Sequence, residues 1–311
     1  MSIVSLESVN KFFGSRQVLH NLSFTVRPGE IVGLLGPNGS GKTTTLRLVA
    51  GYYEPDQGRV SFSGGARPSV GYLPERAPLY DALTVTQYLG FVGRCKGLSG
   101  KALAQGIERS IHAFNLESVR STAIGRLSKG FRQRVGLGQA ILADPGILLL
   151  DEATNGLDPI QIIEAREMIR AQAQGRAVIF SSHLMQEVQA LCTRALILRH
   201  GRLIADVPLV STGQAGSVVL ELQWRGAESQ VLAQALARLP GVVGTPTVSL
   251  FDAGVFTLAV AFHTQPDTID PVLAVAMREG QVLQAHYRST HIEDLLIEAV
   301  RRSDSLTEAL A

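Results

Sequence analysis

Residues Ile3-Val4-Ser5-Leu6 and Leu22-Ser23-Phe24-Thr25-Val26 alternate apolar and polar side chains, the period-two pattern of half-buried antiparallel strands. Past a Pro28-Gly29 turn, Ile31 to Leu35 is apolar throughout, as a central strand covered on both faces should be. A glycine-rich loop follows, and Thr43 to Ala50 reads as a helix opened by it. From about Thr84 to Ala143 the spacing is helical, interrupted at Gly93, Gly97, Gly100 and Gly125. Two further apolar strands, Ile147 to Leu150 and Ala177 to Phe180, flank a helix near Ile160 to Ala173. A strand–helix–strand unit of this length implies parallel strands joined by a right-handed crossover. The pattern predicts an α/β domain over 1–210, carrying a helical insertion at about 84–143 and an antiparallel β subdomain.

The composition changes after Val210, where Ser211 to Gly216 reads as a linker. Beyond it the expected order is strand (Val218 to Trp224), helix (Ser229 to Leu239) and strand (Val242 to Leu250). A turn at Asp252-Ala253-Gly254 precedes a strand (Val255 to Phe262), a helix (Ile269 to Arg278) and a strand (Val282 to Tyr287). This βαββαβ order predicts a small ferredoxin-like α+β domain over 217–302, closed by an amphipathic helix from about Ile292 to Arg301.

Charge narrows the possible partners. The 29 basic and 27 acidic side chains leave a net charge of +2, without the basic excess expected for nucleic acid, so no nucleic-acid partner is expected. Cys95 and Cys192 lie far apart with no His or Cys at ligand spacing and read as ordinary buried thiols in a reducing compartment. The N-terminal residues do not resemble a signal peptide. No stretch approaches the roughly 20 apolar residues of a membrane helix, so a soluble chain is expected, and any membrane role comes from a partner.

Two segments carry candidate chemistry. Gly36-Pro37-Asn38-Gly39-Ser40-Gly41-Lys42-Thr43 lies between a strand and a helix. Its glycines let backbone amides turn inward around phosphates, and the helix N-terminus adds positive potential. Lys42 supplies a point charge for β- and γ-phosphates, and the Thr43 hydroxyl is a candidate Mg²⁺ ligand. Gly36, Asn38, Gly39, Ser40, Gly41 and Thr44 complete the candidate nucleotide-binding set. Downstream, Leu148-Leu149-Leu150 ends in Asp151-Glu152. Side chains alternate along a strand, so the two acids can face different targets. Asp151 is the candidate ligand for hydrated Mg²⁺, and Glu152 the candidate base that orients the attacking water. Taken alone, such a pair also reads as a helix cap with an ion pair.

Leu127-Ser128-Lys129-Gly130-Phe131-Arg132-Gln133 precedes a further helix and resembles the LSGGQ signature of the ATP-binding-cassette (ABC) ATPases. The resemblance covers about residues 2 to 210. It implies that Phe13 stacks on adenine and that Glu75 stands at the position of the glutamine loop, near the metal. Asp158, in Asn155-Gly156-Leu157-Asp158, matches the dimer-contacting aspartate loop, and His183, in Ser181-Ser182-His183, matches the switch histidine at the γ-phosphate. Singly, Phe13 reads equally as a core aromatic, His183 as a helix cap, and Ser128 with Gly130 as a cap and turn. Lys129, Arg132, Glu75 and Ala153 depart from the commonest residues of the family. The first three, with 72–84 and the tail from Ser289 to Leu296, look like one exporter branch whose cassettes pair with separately encoded six-helix membrane subunits. That branch includes subunits similar to gliding-motility, drug-resistance and nitrous-oxide-reductase maturation transporters.

The resemblance implies an ATPase using ATP and Mg²⁺. Ser128 and the amides near Gly130 would reach the γ-phosphate held by a second copy, in a head-to-tail dimer. A cytoplasmic location, peripheral on the inner face of the membrane through a permease, follows from the same resemblance. Leu79, Tyr80 and Leu83 are the expected apolar contacts. A soluble relative acting on ribosomes or DNA is the alternative, and the tail domain is read as a dimer-stabilising or permease-bracing appendage or as a sensor.

Overall fold

The computed structural model describes residues 4–65, 67–209, 218–226, 229–242, 245–252, 254–262 and 269–289. The chain divides into two compact units, Met1–Leu209 and Val210–Ala311. The expected linker at 211–216, the amphipathic helix at 292–301 and most of the Ser289–Leu296 tail lie outside the described residues.

In the first unit, β1 (Val4–Phe13), β2 (Arg16–Val26) and β4 (Gln57–Phe62) form an antiparallel sheet in the order β2-β1-β4. A second sheet contains β3 (Ile31–Leu35), β5 (Val70–Leu73), β6 (Ile147–Asp151), β7 (Ala177–Ser182), β8 (Arg194–Arg199) and β9 (Arg202–Pro208). Its order is β5-β6-β7-β3-β8-β9, parallel except for β9, which returns antiparallel beside β8. Every residue of β3, β6 and β7 is buried, which is why these strands read as unbroken apolar runs. β1 and β2 alternate instead, because one face meets the core and the other meets water.

Leu6 and Leu22 from the antiparallel sheet, Leu34, Leu149 and Ile179 from the parallel one, and Leu46 from helix α1 (Lys42–Ala50) share one buried cluster. Each such side chain contributes about 1.5–3 kcal/mol on burial, so the cluster holds the phosphate-loop helix and both sheets as one body. Helix α6 (Met185–Leu191) crosses β3 very closely. A Cβ on Gly33 would stand 2.4 Å from Val188 Cγ1 and 3.0 Å from Cys192 Sγ.

The insertion contains α2 (Val85–Cys95), α3 (Gly100–Ala113) and α4 (Lys129–Ile141). Cys95, expected to be buried, is exposed at the end of α2, whereas Cys192 is buried. Thr84 starts α2 with a capping box, its side chain accepting from Gln87 N while the Gln87 side chain accepts from Thr84 N. Gly93 is not the break that the spacing predicts. It lies inside α2, where a Cβ would stand 2.3 Å from Leu103 Cδ1, so its smallness serves α2–α3 contact. Helix α5 (Pro159–Gln172) is capped by Asp158, which accepts from Gln161 N at 2.9 Å.

The second unit contains β10 (Val218–Arg225), α7 (Ser229–Leu236), β11 (Thr247–Asp252), β12 (Val255–Phe262), α8 (Asp270–Glu279) and β13 (Gln281–Ser289). The strands are antiparallel in the order β11-β12-β10-β13. Trp224 is fully buried and donates its indole N–H to Ala276 O at 2.9 Å. The strand expected from Val242 to Leu250 is displaced to Thr247–Asp252, with Val242 making only an isolated bridge to Phe262. Pro246 has no amide hydrogen for the ladder, so pairing with β12 starts at Thr247. Helix α7 ends at Leu236 rather than Leu239, before Pro240, because the residue ahead of a proline disfavours helical backbone.

Candidate functional site

The loop from Gly36 to Gly41 joins the end of β3 to α1, and its geometry depends on positive-φ backbone. Gly41 is the N-cap of α1 at φ 106 and makes no side-chain cap bond. The first-turn amides therefore lack a capping acceptor and face the loop. The Ser40 hydroxyl is buried with no hydrogen-bond partner among the described residues. A buried hydroxyl and uncapped helix amides at one point suit an anion with several acceptor oxygens. Thr44 and Thr43 are half-buried in the first turn of α1.

Lys42 Nζ donates to Gly36 O at 2.8 Å and Pro37 O at 3.2 Å, and stands 3.8 Å from Glu152 Oε1. Burial lowers the Lys42 pKa, while Glu152, Asp151 and Glu75 push it back up. The charges of three carboxylates thus favour the protonated form of one buried ammonium group. Glu75 itself is exposed in the loop after β5.

The paired acids at the end of β6 do face different partners. Asp151 Oδ1 accepts from Ser181 Oγ at 2.6 Å and from Thr43 Oγ1 at 3.2 Å, and Oδ2 accepts from Tyr72 OH at 3.4 Å. Burial, and then the nearby Asp151 charge, push the Tyr72 phenol up to about 12. Glu152 adopts φ 49, a left-handed backbone that costs a non-glycine residue about 1–3 kcal/mol and concentrates at functional sites. Its N–H is held by Ser181 O at 3.2 Å and Ser181 Oγ at 3.1 Å. Its Oε2 meets His183 Nδ1 at 3.2 Å and Asn155 Nδ2 at 3.3 Å. Strand pairing explains Ser181, because register places it directly beside Asp151. The sequence contains this serine without marking its role, which becomes visible only once β6 and β7 are neighbours. Tyr72 and Asn155 are absent from the sequence-derived set for the same reason.

Phe13 is not a core aromatic. Its ring is 43% exposed, meets Tyr53 edge-on at 5.2 Å, and has Lys11 Nζ 5.7 Å from its centroid. Nor does His183 cap α6, whose N-cap is Leu184.

At the signature segment, Ser128 caps α4 by accepting from Phe131 N at 3.4 Å. Arg132 pairs with Asp81 at 2.6 Å. Gln133 donates to Ala153 O at 2.6 Å, tying this helix to the loop that follows Glu152. Ser128, Gly130, Asp158 and Gln161 line a groove of about 280 Å³. Its lining comes from Ser128 and Asp158 and the opening turns of the helices they cap, α4 and α5, whereas Lys42, Thr43, Asp151, Glu152 and His183 gather at the phosphate loop. The structure therefore forms two clusters from the predicted residues.

Comparison with known proteins agrees with this arrangement. Residues 19–155 match the family model described as ABC transporter. The chain is 38% identical to an uncharacterized ABC transporter ATP-binding protein, YdbJ of Bacillus subtilis (strain 168), over 71% of this chain and 74% of that protein. It is 37% identical to the Nod factor export ATP-binding protein I of Rhizobium sp. (strain N33), over 65% of this chain and 70% of that one. Among solved structures, an ATP-binding subunit of an ABC transporter aligns with TM-score 0.60 and 30% identity, covering 67% of this chain and 90% of its own. The cassette MJ0796 aligns with TM-score 0.60 and 21% identity, covering 67% and 99%, and shares the fold. A phosphate loop, paired strand-end acids and a capped signature helix, in a chain so similar to these proteins, identify it as an ATPase belonging to the ATP-binding subunits of ABC transporters.

Proposed function

We propose that this chain is the ATP-hydrolysing subunit of a membrane export complex, working as a head-to-tail pair whose two sites each combine the phosphate loop of one copy with the signature of the other. The observation that carries this reading is the separation of the two clusters. Each chain has one phosphate loop and one signature, and the groove at Ser128, Gly130 and Asp158 is lined without phosphate-loop residues. A second copy supplies what each cluster lacks.

In this reading Phe13 offers its exposed face to adenine. The amides from Asn38 to Thr44, with Ser40 Oγ, receive the phosphates. Thr43 and Asp151, already 3.2 Å apart, would hold Mg²⁺ with Glu75 nearby. When bound, the metal would neutralise developing phosphate charge. Lys42 turns from its loop carbonyls to the β- and γ-phosphates. Glu152 takes a proton from the attacking water as the new P–O bond forms and the bond to the β-phosphate oxygen breaks. His183 holds Glu152 and the γ-phosphate in register. Loss of the γ-phosphate contacts lets the pair open, which is the work transmitted to the membrane.

Export rather than ribosome or DNA action is supported by the relative named for Nod factor export. No helix among the described residues is long and apolar enough to cross a membrane. A separately encoded membrane subunit would therefore supply the pathway and hold the chain at the inner face. Tyr80, 54% exposed, packs against Phe91, 39% exposed, at 5.4 Å and offers an apolar contact beside the Glu75 loop. The second unit follows the βαββαβ order with β13 and β12 flanking β10, which supports a ferredoxin-like appendage that braces the dimer or the permease. Affinity purification of the tagged chain from detergent-solubilised membranes tests the complex. Retention of a multi-spanning protein is expected, and a chain recovered wholly free of membrane protein contradicts the reading.

A further inference from the structure

Ser181 and Ser182 end β7 with their side chains on opposite faces. Ser181 faces Asp151. Ser182 faces away, and its Oγ donates to Glu187 Oε2 at 2.5 Å while accepting from Leu184 N at 3.0 Å. Glu187 lies in the first turn of α6 and is only 7% exposed. A carboxylate is costly to bury unless it is hydrogen-bonded, and nothing in the hydrolytic reading above uses it.

Its geometry gives it a use. A hydroxyl bonded to a carboxylate makes a short, strong bond, so the Ser182 rotor is fixed and its lone pair is aimed at the Leu184 amide. The backbone is thereby tied at the residue before His183 and at the residue after it. His183 lies between the two ties, and its Nδ1 reaches Glu152 Oε2 at 3.2 Å. Leu184, the N-cap of α6, makes no side-chain cap bond of its own, and its own N–H is the one that the Ser182 hydroxyl receives.

We infer that Ser182 and Glu187 form a clamp that positions His183 against Glu152 at the phosphate loop. The inference rests on the reading of His183 as a residue of the hydrolytic site. The competing explanation is that the pair only starts α6, with no bearing on His183.

Steady-state ATP turnover of the full chain in a double-mutant cycle separates the two. Ser182→Ala and Glu187→Leu are each expected to lower kcat about tenfold or more, as small displacements of a positioned group do, with KM for ATP within about twofold of wild type. Glu187→Gln still offers an acceptor to Ser182 and is expected to recover most of the lost rate. In a His183→Ala background, Glu187→Leu is expected to add no further loss. Should Glu187→Leu fail to fold, Ser182→Ala, which deletes one hydroxyl, carries the same cycle. Equal losses with and without His183 overturn the clamp while leaving the role of His183 intact. Wild-type turnover in His183→Ala overturns the reading of His183, and the clamp with it.

Discussion

Lys42 Nζ stands 3.8 Å from Glu152 Oε1, with side chains only 6% and 12% exposed. The cation of the phosphate loop and the strained acid that follows β6 are thus in contact. Anionic phosphates entering the loop would compete with Glu152 for the same ammonium group. Phosphate binding and the release of Glu152 would then be linked through one side chain.

Lys42→Ala removes that group. A charged hydrogen bond contributes about 1.5–3 kcal/mol, so ATP affinity is expected to fall by about ten- to a hundredfold. Equilibrium binding of a fluorescent ATP analogue measures it, and unchanged affinity would undo the phosphate-loop assignment.

Gly33→Ala tests the packing that supports the site. The added Cβ meets Val188 and Cys192 of the α6 segment at 2.4 and 3.0 Å, and overpacking of this kind costs about 1–3 kcal/mol. Urea unfolding of the full chain should show a lower midpoint for the first unit, with its unfolding free energy reduced by that amount. The variant should also lose turnover, because α6 carries the segment that follows His183. A midpoint equal to wild type would show that α6 yields freely.

Burial raises both Tyr72 and Tyr88 from 10.0 to about 12. For an acid whose folded pKa lies above its unfolded one, the unfolded chain gives up the proton first. Stability is therefore full below about pH 10 and falls as pH rises toward 12, by at most about 1.4 kcal/mol per pH unit for each tyrosine. Tyr88→Phe removes one titrating group along with its 3.4 Å bond to Pro78 O. Thermal melts from pH 9 to 12 should show a lower but flatter profile for the variant. An equally steep profile would remove Tyr88 as a source of alkaline sensitivity.

Long apolar runs and motif order made much of the first unit legible in sequence. Ile31 to Leu35 and Ile147 to Leu150 read as central strands because both faces are covered. β4, β5, β8 and β9 escaped detection. Val70-Gly71-Tyr72-Leu73 is short and interrupted by glycine, and its strand character comes from pairing with β6. At the site, residues fixed by chemistry were visible, such as Lys42, Asp151 and Glu152. Residues fixed by neighbourhood were not. Ser181 matters because it is in register with Asp151, and Gln133 because α4 approaches Ala153, and neither relation has a sequence signature.

The central claim is a site completed by two copies, and Glu152→Gln tests it most directly. The amide keeps the size of the side chain but not its charge, and cannot take the proton from water. The variant is expected to bind ATP, to hydrolyse it at least about a hundredfold more slowly, and to accumulate as a dimer with ATP and as a monomer without it. Size-exclusion chromatography with light scattering gives the mass directly. A variant that binds ATP yet dimerises no better than wild type would contradict the composite site.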